Sequence, residues 1–438
     1  MLQRIHAFVW GPGILVLFLF VGILYTIKLR GFALFGIRKW WKLIVGSMLS
    51  GQGKDATGIS SFQSACTALA ATIGTGNIAG VATAILAGGP GAIFWMWVSA
   101  FLGMATAYGE TELGMKYRHR DRNGSWISGA MMYLEHGLGC RWLAIIYAIL
   151  CLLASFGMGS MVQANAVSET FKFAFSLPSA FSGCVLVLAA GKILAGGAKG
   201  IARTAEKMVP LSAAVYIGAS LSILLLFRDR IPGAFARILT DAFSFQSASG
   251  GVSGFIVSKC VRYGVSRGVF SNEAGLGSLA ALNGGVEHTE TGVQGQWAMF
   301  EVFFDTIVCC TVTALVILCA MGEELNHYSG NGSELTEQCF ERGLGSLGGY
   351  TVSMCMALFA FATIIAWYYM GRQAAVYLSE IIGQDISKFY LGGYLICVFL
   401  GSLGPMETVW EISDIFNGMM AIPNLAALVL LVKEVRRP

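Results

Sequence analysis

The stretch Ala65-Cys66-Thr67-Ala68-Leu69-Ala70-Ala71-Thr72-Ile73-Gly74-Thr75-Gly76-Asn77-Ile78-Ala79-Gly80-Val81-Ala82 decides the fold. It belongs to an apolar run of the length that crosses a bilayer, about 20 residues at 1.5 Å each, yet glycines and polar side chains interrupt it halfway. A second apolar run is broken in the same manner at Phe270-Ser271-Asn272-Glu273-Ala274-Gly275-Leu276-Gly277. Irregular backbone at membrane depth is tolerated only where it lines a cavity. Paired, Gly-interrupted spans in inverted repeats point to a substrate site near the midplane. Gly76 and Gly80 form a GxxxG pair that lets helices approach closely, and packing accounts for Gly80, Gly88 and Gly89. It does not account for Thr75 and Asn77, whose side chains are costly at that depth without partners. A dinucleotide fingerprint is excluded, because Gly80 falls one position late for GxGxxG and no strand accompanies it.

Outward from these two stretches, the chain is a succession of apolar runs. Its 438 residues are 55% hydrophobic and 12% charged, where a soluble domain carries about 25% charged residues, and its mean hydropathy is +0.67. Such a chain cannot cover itself with polar surface, so the bilayer is its solvent. Spans are expected near residues 6–28, 62–87, 90–115, 140–172, 178–195, 206–227, 251–282, 294–321, 347–371, 388–404 and 407–432. The first is too long for a cleaved leader and lacks a small-residue cleavage site, so it reads as a retained helix. The other ten divide into two sets of five, each opening with a broken span. An odd number of spans per set puts the halves in opposite orientation. The expected architecture is an all-α integral membrane protein of about 11 transmembrane helices. Residues 1–60 form an extra N-terminal helix and an interfacial helix, 61–230 a first five-helix repeat and 231–438 a second.

Lysines and arginines report topology. The net charge of +4 is spread over short loops rather than gathered on one face, which excludes a nucleic-acid partner. Alternate connections carry the basic residues: 28–42; Lys116, Arg118, Arg120 and Arg122; Lys199, Arg203 and Lys207; Arg372 and Lys388; Lys433, Arg436 and Arg437. The positive-inside rule makes these cytoplasmic. The N-terminus is then outside and the C-terminus inside, in a plasma (inner) membrane. Residues 35–48, with Trp40 and Trp41 beside Arg38, Lys39 and Lys42, read as an amphipathic helix on the cytoplasmic interface. Eleven cysteines show no CxxC or Cys/His ligand spacing and pack as small apolar residues. An intramembrane enzyme lacks its nucleophile and base: His6, His119, His136, His288 and His327 lie at span ends or in loops, with no HExxH. No P-loop is present, and a channel filter is not what an inverted duplication builds.

Ionisable residues inside spans are functional candidates. Asp305, near the middle of its span, reads as an ion-site carboxylate, a proton carrier or a hydrogen-bonded structural acid. Glu273 reads as a cap for the inner half-helix. Arg262 and Arg267 need water or an acid, and Asp414 is the partner expected for Arg267 in an outer gate. Lys207 snorkels to the interface, and Glu110 and Glu112 read as interfacial.

A helix interrupted at 73–77 exposes N–H donors with the positive dipole end of one half and carbonyls at the end of the other. The first suits a carboxylate, the second a small cation. Thr363 and Trp367 are i and i+4 on one helix face, so a hydroxyl and a large ring point the same way.

The stretch quoted above, followed by Gly88-Gly89-Pro90-Gly91-Ala92-Ile93-Phe94-Trp95-Met96-Trp97, resembles the hallmark of the alanine or glycine:cation symporter family. So do Arg267-Gly268-Val269-Phe270-Ser271-Asn272-Glu273-Ala274-Gly275-Leu276-Gly277-Ser278 and Phe304-Asp305-Thr306. The similarity runs along nearly the whole chain. It implies a LeuT-type 5+5 inverted repeat with one extra N-terminal helix, and sodium-coupled uptake of alanine, glycine or a similar small neutral amino acid. Proton coupling is the alternative, since in some LeuT-type relatives a lysine takes the place of sodium. By the family pattern, Thr75, Gly76 and Asn77 face the substrate carboxylate; Gln163, Phe270, Ser271, Gly275, Thr363 and Trp367 complete the pocket. The same pattern places one sodium site where carbonyls of Ala70 and Ile73 meet the Thr363 hydroxyl, and a second near Thr72, Asn77 and Ser271. Sodium is the only metal implied. No other cofactor and no obligate protein partner is expected, membrane lipid apart.

Overall fold

The computed structural model describes residues 2–50, 58–121, 124–243, 252–287, 290, 292–404 and 407–438. Arg122, residue 251 and His288, which figure in the expectations above, lie outside the described residues.

The first expected span is two helices, α1 (Leu2–Val9) and α2 (Pro12–Lys28). Gly11 between them is extended (φ −76°, ψ 173°) and Pro12 opens α2, the helical position where a missing N–H leaves nothing unsatisfied. After α3 (Phe32–Phe35), α4 (Ile37–Ser50) carries the expected amphipathic pattern. Trp40 and Ile44 are buried, while Arg38, Lys39 and Lys42 are exposed. Trp40 meets Phe303 edge-on at 5.7 Å between ring centroids, so one face of α4 rests on protein.

A capping box between Ser60 and Gln63 opens α5 (Ser61–Thr72). A widened, i→i+5 turn at Gly76–Gly80 leads into α6 (Val81–Gly88), and the two arms are bent by 52°. α7 (Ala92–Tyr117) ends in a small antiparallel hairpin, β1 (His119–Arg120) with β2 (Trp126–Ile127). α8 (Ala130–Met132) precedes α9 (Arg141–Ala154), which continues through a second widened turn at Ser155–Met161 into α10 (Val162–Phe175). α11 (Ser179–Leu194), α12 (Gly197–Leu226) and α13 (Ile231–Ala242) follow. α14 (Val252–Asn272) breaks before α15 (Ser278–Asn283), and a third widened turn, Phe303–Cys310, joins α16 (Val293–Val302) to α17 (Thr311–Met321). The chain ends with α18 (Gly332–Leu344), α19 (Ser346–Ile382), α20 (Ser387–Ser402) and α21 (Glu407–Leu430). Among the described residues, six helices are long and apolar enough to cross a bilayer, and the bent α5–α6 pair makes a seventh. α2 and α11 are apolar but shorter.

The broken helices sit centrally. α7 packs along α14 and α16, and α19 along α5, α10 and α12. Phe8, Leu188, Leu225, Phe389 and Leu430 lie largely exposed on the outside, apolar side chains that a water-facing protein would hide. Basic residues gather at one end: Lys116 pairs with Glu434 at 2.7 Å, Arg437 Nε donates to Lys28 O at 3.0 Å, and Arg118 Nη1 donates to Gly284 O at 2.8 Å.

Residues 323–341, an acidic stretch between two of the expected spans, hold most of a helix, α18. Asn331 and Glu334 form a second capping box, and α18 lies against α6 and the Gly76–Gly80 turn. Thr336 Oγ1 donates to Ile78 O at 3.5 Å, so α18 covers the first break from the end opposite the basic cluster.

Candidate functional site

At Ile73 the backbone leaves the helix (φ −76°, ψ 96°), and the following residues turn their polar groups inward. Thr75 Oγ1 donates to Gln163 Oε1 at 3.5 Å, and Gln163 is held by its own amide, which donates to Met158 O at 3.3 Å within the second widened turn. Thr363 Oγ1 lies 3.0 Å from Ala70 O and 3.0 Å from Phe359 O; the second contact is the back-bond to residue i−4 that membrane threonines make. A Cβ on Gly74 would stand 2.9 Å from Thr363 Oγ1, so the close approach of the broken span to α19 requires glycine there. Overpacking of this kind costs about 1–3 kcal/mol. Gly74→Ala is therefore expected to lower substrate uptake at least about tenfold while detergent-purified yield stays near that of the parent. Equal uptake rates at matched protein amounts would count against this.

The two breaks meet at Gly76, which faces Phe270 and the Ser271 backbone. Beside them lies a carboxylate cluster. Asn77 Oδ1 accepts from Gly74 N at 2.9 Å, which turns its amide nitrogen toward Asp305; Nδ2 donates to Asp305 Oδ1 at 2.7 Å. Ser271 Oγ and Thr306 Oγ1 each donate to Asp305 Oδ2 at 2.8 Å. Asp305 stands in the third widened turn, a feature frequent at functional sites. Thr75, Asn77, Gln163, Ser271, Asp305, Thr363 and Trp367 are all buried, so this conformation seals them from both faces. The carboxylate and hydroxyl oxygens converging here suit a hard cation, while Asn77 turns an N–H donor toward them.

The second break turns on other groups. Glu273 has φ 57°, and Gly275 and Gly277 have φ 91° and 88°, the left-handed region that glycine enters without a Cβ penalty. Glu110, fully buried on α7, accepts from Gly275 N and Leu279 N, both at 3.0 Å, and from Asn424 Nδ2 at 3.2 Å. An anion at a helix N-terminus is favourable, and this one also satisfies orphan N–H groups of α15. Glu112 accepts from Gly292 N at 3.2 Å, just before α16.

Several expectations are corrected by this geometry. The interfacial reading of Glu110 fails because its partners lie in the broken span, where it accepts the N–H groups that open α15; the Glu273 side chain lies beside Ser278 and Trp367. Glu273 also closes α14, its N–H donating to Val269 O at 2.8 Å. Gly275 sits away from the Thr75–Asn77 turn, against Phe18 and Leu425. Thr72 Oγ1 points back to Leu69 O at 3.4 Å. Arg267 and Asp414 do not pair: Asp414 Oδ2 is 2.7 Å from His6 Nε2, while the Arg267 guanidinium lies 5.4 Å from the centre of the Phe270 ring. Lys207 is exposed, as snorkelling requires.

With this geometry in hand, known proteins can be compared. The sequence model of the sodium:alanine symporter family matches residues 1–437. A Haemophilus influenzae protein described as an uncharacterized transporter is 41% identical over 436 residues, covering 99% of this chain and 94% of its own. The sodium/alanine symporter AgcS of Methanococcus maripaludis is 40% identical over 441 residues, covering 98% of this chain and 94% of its own. The solved structure of MhsT in complex with L-phenylalanine matches with a TM-score of 0.61 at 15% identity, over 84% of this chain and 88% of that one. That likeness is one of fold and agrees with the LeuT-type arrangement expected from the sequence. Matched from end to end, this helical membrane protein is a transporter, not an enzyme, and it belongs to the sodium:alanine symporter family.

Proposed function

We propose that the chain carries small neutral amino acids, alanine and glycine foremost, into the cell together with Na+ by alternating access. The observation that carries this reading is the meeting of the two breaks beside Asp305. The turn at Thr75, Gly76 and Asn77 offers N–H groups and a hydroxyl at the positive end of α6, which suits a carboxylate. Asp305 and the Ser271 and Thr306 hydroxyls form one oxygen-lined cation position, oriented by the Asn77 amide; Ala70 O with the Thr363 hydroxyl forms another. Phe270 beside Gly76 and Trp367 one turn from Thr363 limit the side chain that a substrate can bring. Membrane placement follows the basic end: with Lys116, Arg118 and Arg437 in the cytoplasm, the N-terminus is outside and residues 61–230 and 231–438 are the two inverted repeats.

The runner-up is proton coupling, or preference for another small amino acid such as serine or glutamine. The lysine route to proton coupling is disfavoured by the exposure of Lys207. Purified protein in liposomes, given a sodium gradient or a proton gradient separately, tests the driving ion. Labelled alanine should accumulate with sodium alone, and accumulation with the proton gradient alone would overturn the sodium reading. Competition by a panel of amino acids tests the substrate. In the same assay, Trp367→Ala is expected to weaken alanine uptake or admit bulkier competitors, because burial of a Trp side chain contributes about 3–5 kcal/mol of packing. An unchanged competition profile speaks against Trp367 as a pocket wall.

A further inference from the structure

One buried acid has no part in the site just described. Glu301 is on α16, fully buried. Its Oε2 accepts from Asn283 Nδ2 at 2.9 Å, and its Oε1 has no hydrogen-bond partner among the described residues. Asp305 differs, since both its oxygens are answered by donors. A bare carboxylate with an unanswered oxygen among apolar helices is unstable; what Oε1 lacks is a proton or a cation.

The groups around Glu301 supply neither. On α5, Cys66 is near enough to be influenced electrostatically by both Glu301 and Glu206 of α12, and Glu206 already accepts from Gln63 Nε2 at 2.9 Å. On α7, Glu110 and Glu112 are committed to backbone N–H groups. The cations of α4, Arg38, Lys39 and Lys42, are exposed. α15 carries no charged residue, and in the widened turn that follows α16 the acid is Asp305, with Cys309 and Cys310 beyond.

A route to water is present. Asn283, oriented by the carboxylate, turns its Oδ1 to Gln294 Nε2 at 2.6 Å. Gln294 Oε1 is again unanswered among the described residues, and Gln294 lines a cavity of about 340 Å³ with Glu112, Lys116, Arg118, Glu290 and Arg436. Two amides in series thus lead from the buried acid to the basic end of the molecule. We propose that Glu301 is a proton-binding site that competes with the cation held at Asp305, with Asn283 and Gln294 holding Oε2 and marking the polar path along which water from this cavity brings the proton to Oε1. In the uptake step Oε1 takes a proton from hydronium, leaving water; in release it returns that proton to water. Residues 301 and 305 are one turn apart, so an ionised Glu301 attracts a cation at Asp305 and a protonated one does not. The two binding events are reciprocally linked. The inference rests on the transport reading only for the identity of the competing cation.

The test uses the full chain in liposomes with pH clamped on both faces. Infrared difference spectra across a pH titration should show a protonated-carboxyl C=O band that Glu301→Gln removes. The sodium concentration for half-maximal labelled-alanine transport should rise about tenfold between about pH 8 and about pH 6, and become independent of pH in Glu301→Gln. Glu301→Asp should restore the band with a shifted midpoint, which keeps the idea testable if the glutamine variant folds poorly. A band that survives Glu301→Gln, an unshifted midpoint in Glu301→Asp, or a parallel pH profile in Glu301→Gln would each overturn the proposal. Failure of the parent to transport alanine would instead strike the proposed function, leaving the infrared result to stand.

Discussion

Asp305→Ala should abolish sodium-driven uptake, with a loss of at least about 100-fold, while leaving the protein in the membrane. The substitution removes the acceptor for Asn77 Nδ2, Ser271 Oγ and Thr306 Oγ1 at once. Hydrogen bonds to a charged group contribute about 1.5–3 kcal/mol each, and every 1.4 kcal/mol is about tenfold in rate. Asp305→Asn is expected to be nearly as damaging, because its amide nitrogen faces donors on both sides. The check is the initial rate of labelled-alanine uptake against sodium concentration in proteoliposomes. Rates within about threefold of the parent for both variants would return Asp305 to the role of a structural acid.

The second large effect concerns folding stability. Glu110→Ala leaves Gly275 N, Leu279 N and Asn424 Nδ2 buried without an acceptor, and should destabilise the protein by about 3 kcal/mol or more, at about 1–3 kcal/mol for each buried donor left unsatisfied. Glu110→Gln keeps one acceptor oxygen and should lose roughly half of that. Thermal unfolding of the detergent-solubilised protein, followed by size-exclusion chromatography, measures both. A midpoint for Glu110→Ala equal to the parent's would show that water replaces the carboxylate at the N-terminus of α15.

How much of this was legible in the sequence depends on the range of the interaction. The first break could be located because Gly74, Thr75, Gly76 and Asn77 interrupt an apolar run, a signal carried by adjacent residues. Thr363 and Trp367 shared a face by spacing alone. Gly11-Pro12 also marks a local stop, though a continuous helix was expected across it; hydropathy outweighed the proline signal. The helix α18 was hidden because polar composition reads as loop, even though Asn331 and Glu334 have the capping-box spacing. Glu110 and Asp414 show the limit of linear reading. Their partners are separated from them by 165 and 408 positions, and charge complementarity without geometry chose Arg267 where the fold supplies His6. Glu301 gave no sign of its neighbours either, since Asn283 and Gln294 line up beside it only when α15 packs against α16.

The Glu110 carboxylate has a mechanical consequence. By clasping the start of α15 from α7, it ties one arm of the second broken helix to the neighbour along which α14 also runs, so the alternating access proposed above would move those pieces together. Hinge motion must then be taken up elsewhere, at the seam where α5 meets α19 and a single side-chain hydroxyl, that of Thr363, reaches the carbonyl of Ala70.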